Sequence, residues 1–132
     1  IITAVLGEKY RVHKTDGNHN TDIGISLCLL EMPPETEIAV LEMGMSGFGE
    51  IARMSDIAEP DVSVITNIGS SHIEMLGSRE NICKAKMEIV KGMKREGEVV
   101  LNGDEPLLWA LERANIILPM FRFTTGRPNT AP

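Results

Sequence analysis

The sequence predicts an α/β domain: a mostly parallel sheet flanked by helices. Two observations carry this. Apolar runs of strand length alternate with helical patterns along the whole chain, and the strand runs mostly lack a solvent-facing alternation. The chain has 132 residues, enough for one ordinary domain and too few for two.

The elements follow in order. Ile1 to Leu6 reads as the last turns of a helix, with Gly7 as its stop signal. Tyr10 to Lys14 is a short strand, and "TDGNHN" a polar loop. Asp22 to Met32 is a helix, with Asp22 placed as its N-cap and Pro33–Pro34 ending it. Glu37 to Met43 is a strand, and Phe48 to Ala58 a short amphipathic helix. Val62 to Ile68 is a second buried strand, ending at Gly69. Ser78 to Met93 is the best-defined helix: Ser78 caps it, and Ile82, Ala85, Ile89 and Met93 form its apolar stripe. Glu98 to Leu101 is a strand, Asp104 to Ala114 a helix and Ile116 to Phe123 the last strand. "TTGRPNTAP" reads as a loose polar tail.

Composition narrows the function. Hydrophobic residues make up 42% and charged residues 24%, a globular balance. A net charge of −6, from 13 basic and 19 acidic residues, argues against non-specific nucleic-acid binding but not against phosphate ligands held locally. Cys28 and Cys83 both fall in helical segments and read as free thiols of a reducing, cytoplasmic compartment. No apolar run reaches transmembrane length and no signal-peptide pattern is present. The chain begins in a helix-like apolar phase without an initiator Met, so it reads as the interior of a longer protein.

Ligands of such sheets sit beyond the carboxyl ends of the strands. Three candidates reach that rim: Glu42 at the end of one strand run, His72 after the "NIGSSH" loop, and the pair Lys84 and Lys86. Each also has an ordinary reading, as a solvated rim acid, a helix-cap or surface histidine, and the wet face of a helix. A carboxylate and an imidazole at adjacent strand ends, with no Cys nearby, suit Mg²⁺ or Mn²⁺ better than zinc, and such sites often assist phosphate chemistry. The phosphate cradle G-x-x-x-x-G-K-[ST] does not occur in these residues.

Four stretches go further. "GNHNTDIG" (Gly17–Gly24), "LEMGMSGFGEI" (Leu41–Ile51), "ITNIGSSHIEMLGSRENICKAKMEI" (Ile65–Ile89) and "LNGDEPLL" (Leu101–Leu108) closely resemble, in the right order, the central domain of the Mur ligases. The match is best to the branch that adds D-alanyl-D-alanine to the UDP-N-acetylmuramoyl-tripeptide. The resemblance implies an ATP- and Mg²⁺-dependent ligase of peptidoglycan precursor synthesis, acting through an acyl phosphate. It implies that Glu42 and His72 are metal ligands, and that Lys86 is carried as a carbamate, an anion able to hold a cation where an ammonium is not. Asn18, Asn20 and Ser46 would face the UDP-sugar, with the glycines after Glu42 letting the backbone swing clear. The family often has a second Asn where this chain has Thr21.

In that family the P-loop lies just before the helix whose tail would be Ile1 to Leu6. Residues 1–132 are therefore expected to be part of a central domain whose P-loop, downstream remainder and flanking N- and C-terminal domains lie elsewhere. Such a piece is expected to be inactive alone and to self-associate through uncovered sheet surface. The family's folylpolyglutamate and cyanophycin-type members, or a non-catalytic scaffold, are the alternatives.

Overall fold

Every strand pairing in the structure, a computed structural model describing residues 1–110 and 119–124, is parallel. Helix α1 (Ile2–Leu6) leads into β1 (Val12–Lys14), α2 (Asp22–Leu30), β2 (Ile38–Val40), α3 (Glu50–Ala58) and β3 (Val62–Ile65). Then come α4 (Ile73–Leu76), α5 (Arg79–Met87), a 3-10 turn (Glu88–Lys91), β4 (Glu98–Asn102), α6 (Pro106–Trp109) and β5 (Met120–Phe123). Strands β1 and β2 form one ladder, with Val12 opposite Ile38. Strand β4 stands between β3 and β5, with Val62 opposite Glu98 and Val99 opposite Met120. The expected parallel α/β architecture holds. The parts of the last helix and strand that span 111–118, and the tail from 125 onward, lie outside the described residues.

The core is where three helices meet the sheet. Ile25 of α2, Met54 of α3, Ile82 of α5, and Val99 and Leu101 of β4 are buried together with Ile68 and Leu108. Burying each such side chain contributes roughly 1.5–3 kcal/mol. Ile89 and Met93, expected to continue the stripe of Ile82 and Ala85, lie beyond the end of α5 and pack against this cluster while staying partly exposed.

Several boundaries differ from expectation, each for a local reason. The N-cap of α2 is Thr21, not Asp22: Thr21 is extended and its Oγ1 accepts the Gly24 N–H at 3.3 Å, while Asp22 already lies in the first turn. The helix stops at Leu30, before the prolines. Strand β2 ends at Val40 rather than Met43, because β1 ends opposite it at Lys14 and the chain turns to other partners. The Glu42 N–H donates to Thr15 Oγ1 at 3.0 Å, and the Gly44 N–H to the Asn20 carbonyl at 2.8 Å. Glu42 is consequently exposed, two residues past the strand, and not buried at its end. Strand β3 likewise ends at Ile65, and its faces alternate: Ser63 and Ile65 are buried, whereas Val62 and Val64 are exposed. One face of this strand is thus open among the described residues, where burial on both was expected.

Helix α5 also ends early, at Met87, and tightens into the 3-10 turn that leads to Gly92. That turn lies directly on the backbone of α3, where the Ser55 hydroxyl donates to the Ile89 carbonyl. Its N-terminus is as expected: Ser78 is extended and its Oγ accepts the Asn81 N–H at 3.2 Å. Ser78→Ala is expected to cost about 1 kcal/mol, read as a lower urea midpoint at unchanged slope.

Candidate functional site at the carboxyl ends of the strands

The loops after β1, β2 and β3 converge on one cleft of about 490 Å³. The loop after β1 supplies Asn20 and Thr21, the segment after β2 supplies Gly44, Met45 and Ser46, and the loop after β3 supplies His72. Asp22 of α2 and Glu50, Arg53 and Met54 of α3 complete the lining. Of the candidates expected at that rim only His72 lines the cleft, where it joins Asn20 and Ser46. Asn18 and Glu42 are exposed outside this lining, and Lys86 stands apart on α5.

Close packing explains the run of small residues after β2. A Cβ on Gly44 would come within 2.7 Å of the Asn20 amide nitrogen, so glycine leaves that side chain its present place in the cleft. Gly49 is left-handed at φ 83° and starts α3. Only this second position uses the conformational freedom expected of the glycines; Gly44 is there for space. Two acids that the sequence pattern did not single out hold this segment. The Ser46 N–H donates to Glu50 at 2.8 Å, and the Gly49 N–H donates to Glu88 at 2.7 Å. Glu88 comes from 39 residues away, so no local spacing could reveal it.

His72 precedes the unexpected one-turn helix α4 with a left-handed backbone at φ 66°. A non-glycine residue there carries backbone strain, which histidine tolerates better than branched residues. Neither the His72 ring nor the Glu42 carboxylate has a hydrogen-bond or ion-pair partner among the described residues. Lys86 differs from its neighbour Lys84. Lys84 is exposed, whereas Lys86 is half-buried and donates from Nζ to the Asn67 carbonyl at 2.5 Å. Desolvation holds its pKa below the usual 10.5, against opposing influences from Cys83 and Glu105. Lys86 thus reaches the loop that carries His72.

Among the described residues, no group of three or more His, Cys, Asp and Glu side chains is assembled to hold a metal. Cys83 adds nothing to such a set, since burial raises its thiol pKa and keeps it protonated. The oxygen and nitrogen donors present, Glu42 and His72, suit a hard cation, and the set gains a third ligand, its second anionic one, only if the Lys86 amine is modified.

Fold and rim together define a parallel α/β domain with its ligand cleft at the strand carboxyl ends. The family model of the Mur ligase middle domain matches residues 1–129. The chain is 60% identical over 108 residues to the UDP-N-acetylmuramoyl-tripeptide–D-alanyl-D-alanine ligase of Bacillus subtilis, covering 82% of this chain and 24% of that one. Among solved structures it is similar to MurF from Acinetobacter baumannii, with TM-score 0.87, 31% identity, and 95% of this chain and 28% of that one covered. It is also similar to the MurF ligase of Thermotoga maritima in complex with ADP, with TM-score 0.81, 38% identity, and 95% and 29% covered. The chain belongs to the Mur ligase family, in its middle domain. It spans about a quarter of the length of the curated relatives it matches.

Proposed function

We propose that the full-length protein containing this chain is an ATP-dependent ligase of the cytoplasm that joins D-alanyl-D-alanine to UDP-N-acetylmuramoyl-tripeptide. The observation that carries the reading is the 60% identity to a relative named for that reaction. The cleft built from three strand-end loops agrees with it. The nucleotide requirement is supported by the similar ligase whose structure contains ADP.

In this reading the tripeptide's terminal carboxylate attacks the γ-phosphorus of ATP, the bond to the bridging oxygen breaks, and ADP leaves. The amine of D-alanyl-D-alanine then attacks the acyl carbon of the acyl phosphate. A C–N bond forms, the C–O bond to phosphate breaks, and the amine gives up a proton. Asn20 and Ser46 orient the muramoyl-peptide in the cleft, and Asn18 contacts it from the same loop. Glu42, His72 and Lys86 as its carbamate would hold Mg²⁺, which when bound would offset the negative charge of the transferring phosphoryl group. The phosphate cradle and the second substrate's pocket belong to other parts of the ligase.

The Lys86 environment favours the modification. Carbamylation needs the neutral amine, and burial disfavours the ammonium. In the folded chain Lys86 binds its proton less tightly than in the unfolded chain. Its protonated form therefore costs stability below the folded pKa, and that cost is relieved as pH rises toward 10.5. Carbamate formation at Lys86 should set in at lower pH than at exposed Lys84. Carbon-13 bicarbonate labelling followed by NMR tests this. A carbamate signal that grows with pH and is absent from Lys86→Gln supports the role, and identical spectra from the two proteins oppose it.

The substrate assignment is tested by giving the full-length ligase ATP, UDP-N-acetylmuramoyl-tripeptide and one amine at a time. Phosphate release specific to D-alanyl-D-alanine is expected. Release with glutamate on a folate acceptor, or with aspartate or arginine on a polyaspartate chain, would instead place the protein with the other amide ligases of the family.

A further inference from the structure

Arg79 is in the wrong place for a helix. It occupies the first turn of α5, where the helix dipole disfavours a cation, so something other than the helix must hold it there. The structure shows what does. One terminal nitrogen of its guanidinium meets both carboxylate oxygens of Glu105, at 2.8 and 3.0 Å, and its Nε donates to the Gly69 carbonyl at 3.3 Å. Glu105 is 6% exposed and also caps α6 through the Leu107 N–H at 3.3 Å. A buried carboxylate of this kind needs its cation.

The third contact is the informative one. Gly69 lies three residues before His72 on the loop after β3, and is itself left-handed at φ 53°. That loop has its carbonyls held in series by side chains from other elements. Asn102 of β4 donates to the Thr66 carbonyl at 2.9 Å, Lys86 to that of Asn67, and Arg79 to that of Gly69. Arg79 is the hold nearest to His72.

We propose that Arg79, locked by Glu105, is a positioning residue that sets the loop presenting His72 to the cleft. The inference rests on the ligase reading for its catalytic consequence, but not for its structural one. In the full-length ligase, Arg79→Met strands the buried Glu105 charge and also frees Gly69. The double variant Arg79→Met with Glu105→Gln removes the charge penalty and keeps an amide oxygen to accept the Leu107 N–H, yet still leaves the Gly69 carbonyl unheld.

Tm, kcat, KM and amide hydrogen exchange of residues 67–72 are measured for wild type, both variants and Arg79→Lys. The double variant should recover the Tm lost in the single variant while keeping a kcat lowered about tenfold, as for other supporting contacts behind a site residue. Its KM for D-alanyl-D-alanine should stay within about twofold, and exchange at 69–72 should quicken about tenfold. Lysine at 79, lacking the planar fork, should restore Tm better than kcat. If the double variant regains kcat together with Tm, or exchange at 69–72 is unchanged, the pair only supports the fold and the inference is overturned. If wild type releases no phosphate with D-alanyl-D-alanine, the ligase reading fails by itself, and the exchange data still decide whether Arg79 holds the loop.

Discussion

Lys86→Ala is expected to lower phosphate release by the full-length ligase by about 100-fold or more, with short carboxylic acids restoring part of it. The magnitude follows from losing an anionic group that supports phosphoryl transfer. Two properties of Lys86 are at stake, and the variants separate them. The side chain is a held amine whose protonation is disfavoured by burial, and it is also a donor to the Asn67 carbonyl. Lys86→Gln retains a donor but cannot take up CO₂. If the carbamate is what matters, glutamine should be as inactive as alanine. If holding the loop is what matters, glutamine should keep much of the activity and added acids should do nothing for alanine. Activity lost in both and regained only with acid assigns the role to the carbamate.

Gly92→Ala should be among the most destabilising single-methyl additions in the chain, costing about 3 kcal/mol. Its φ is ordinary, so the cost is steric. A Cβ there would lie 2.2 Å from the Ser55 carbonyl carbon and 2.4 Å from the Asp56 nitrogen. These are backbone atoms of α3, which no rotamer change can move aside, so the 3-10 turn must lift off the helix. The Ser55 hydroxyl would then lose the Ile89 carbonyl. Gly17→Ala is the control: φ is 54° and nothing lies within 4 Å, so only the left-handed backbone penalty of roughly 1–2 kcal/mol applies. Urea melts of the two variants should differ accordingly. Equal midpoints would mean that the turn and helix can separate without cost.

These contrasts show what the sequence could and could not convey. The alternation of strands and helices, the Ser78 cap and the Ile82–Ala85 stripe depend on periodicity and local hydrogen bonding, and all are found where the pattern puts them. Parallel topology predicts Glu42, His72 and the lysine pair at the carboxyl-end rim, and of these only His72 lines the cleft; Asn20 and Ser46, which the family resemblance supplies, share it. What failed to show was set by contacts across the chain. The largely apolar "AVLEM" predicts a strand running through Glu42, but a strand ends where its partner ends, and β1 is only three residues long. Glu88 and Glu105 look like surface acids, yet one holds the Gly49 N–H and the other is buried against Arg79, 26 residues away. Helix α4 is a single turn, too short to give a period, and Gly77 with Ser78 was its one local trace.

The expected self-association through uncovered sheet remains a proposal that fits Val62 and Val64, exposed along β3. Mutation of those two valines to threonine should leave the fold intact and reduce any concentration-dependent increase in sedimentation of residues 1–132.

The central claim is that this cleft serves activation of a carboxylate by ATP, and isotope transfer tests it most directly. UDP-N-acetylmuramoyl-tripeptide labelled with oxygen-18 in its terminal carboxylate is turned over by the full-length ligase with ATP and D-alanyl-D-alanine, and the released phosphate is weighed. An acyl phosphate hands a carboxylate oxygen to the phosphate, so each phosphate should carry a single labelled oxygen, and release should require D-alanyl-D-alanine. Unlabelled phosphate, or release that ignores the tripeptide, would contradict the account.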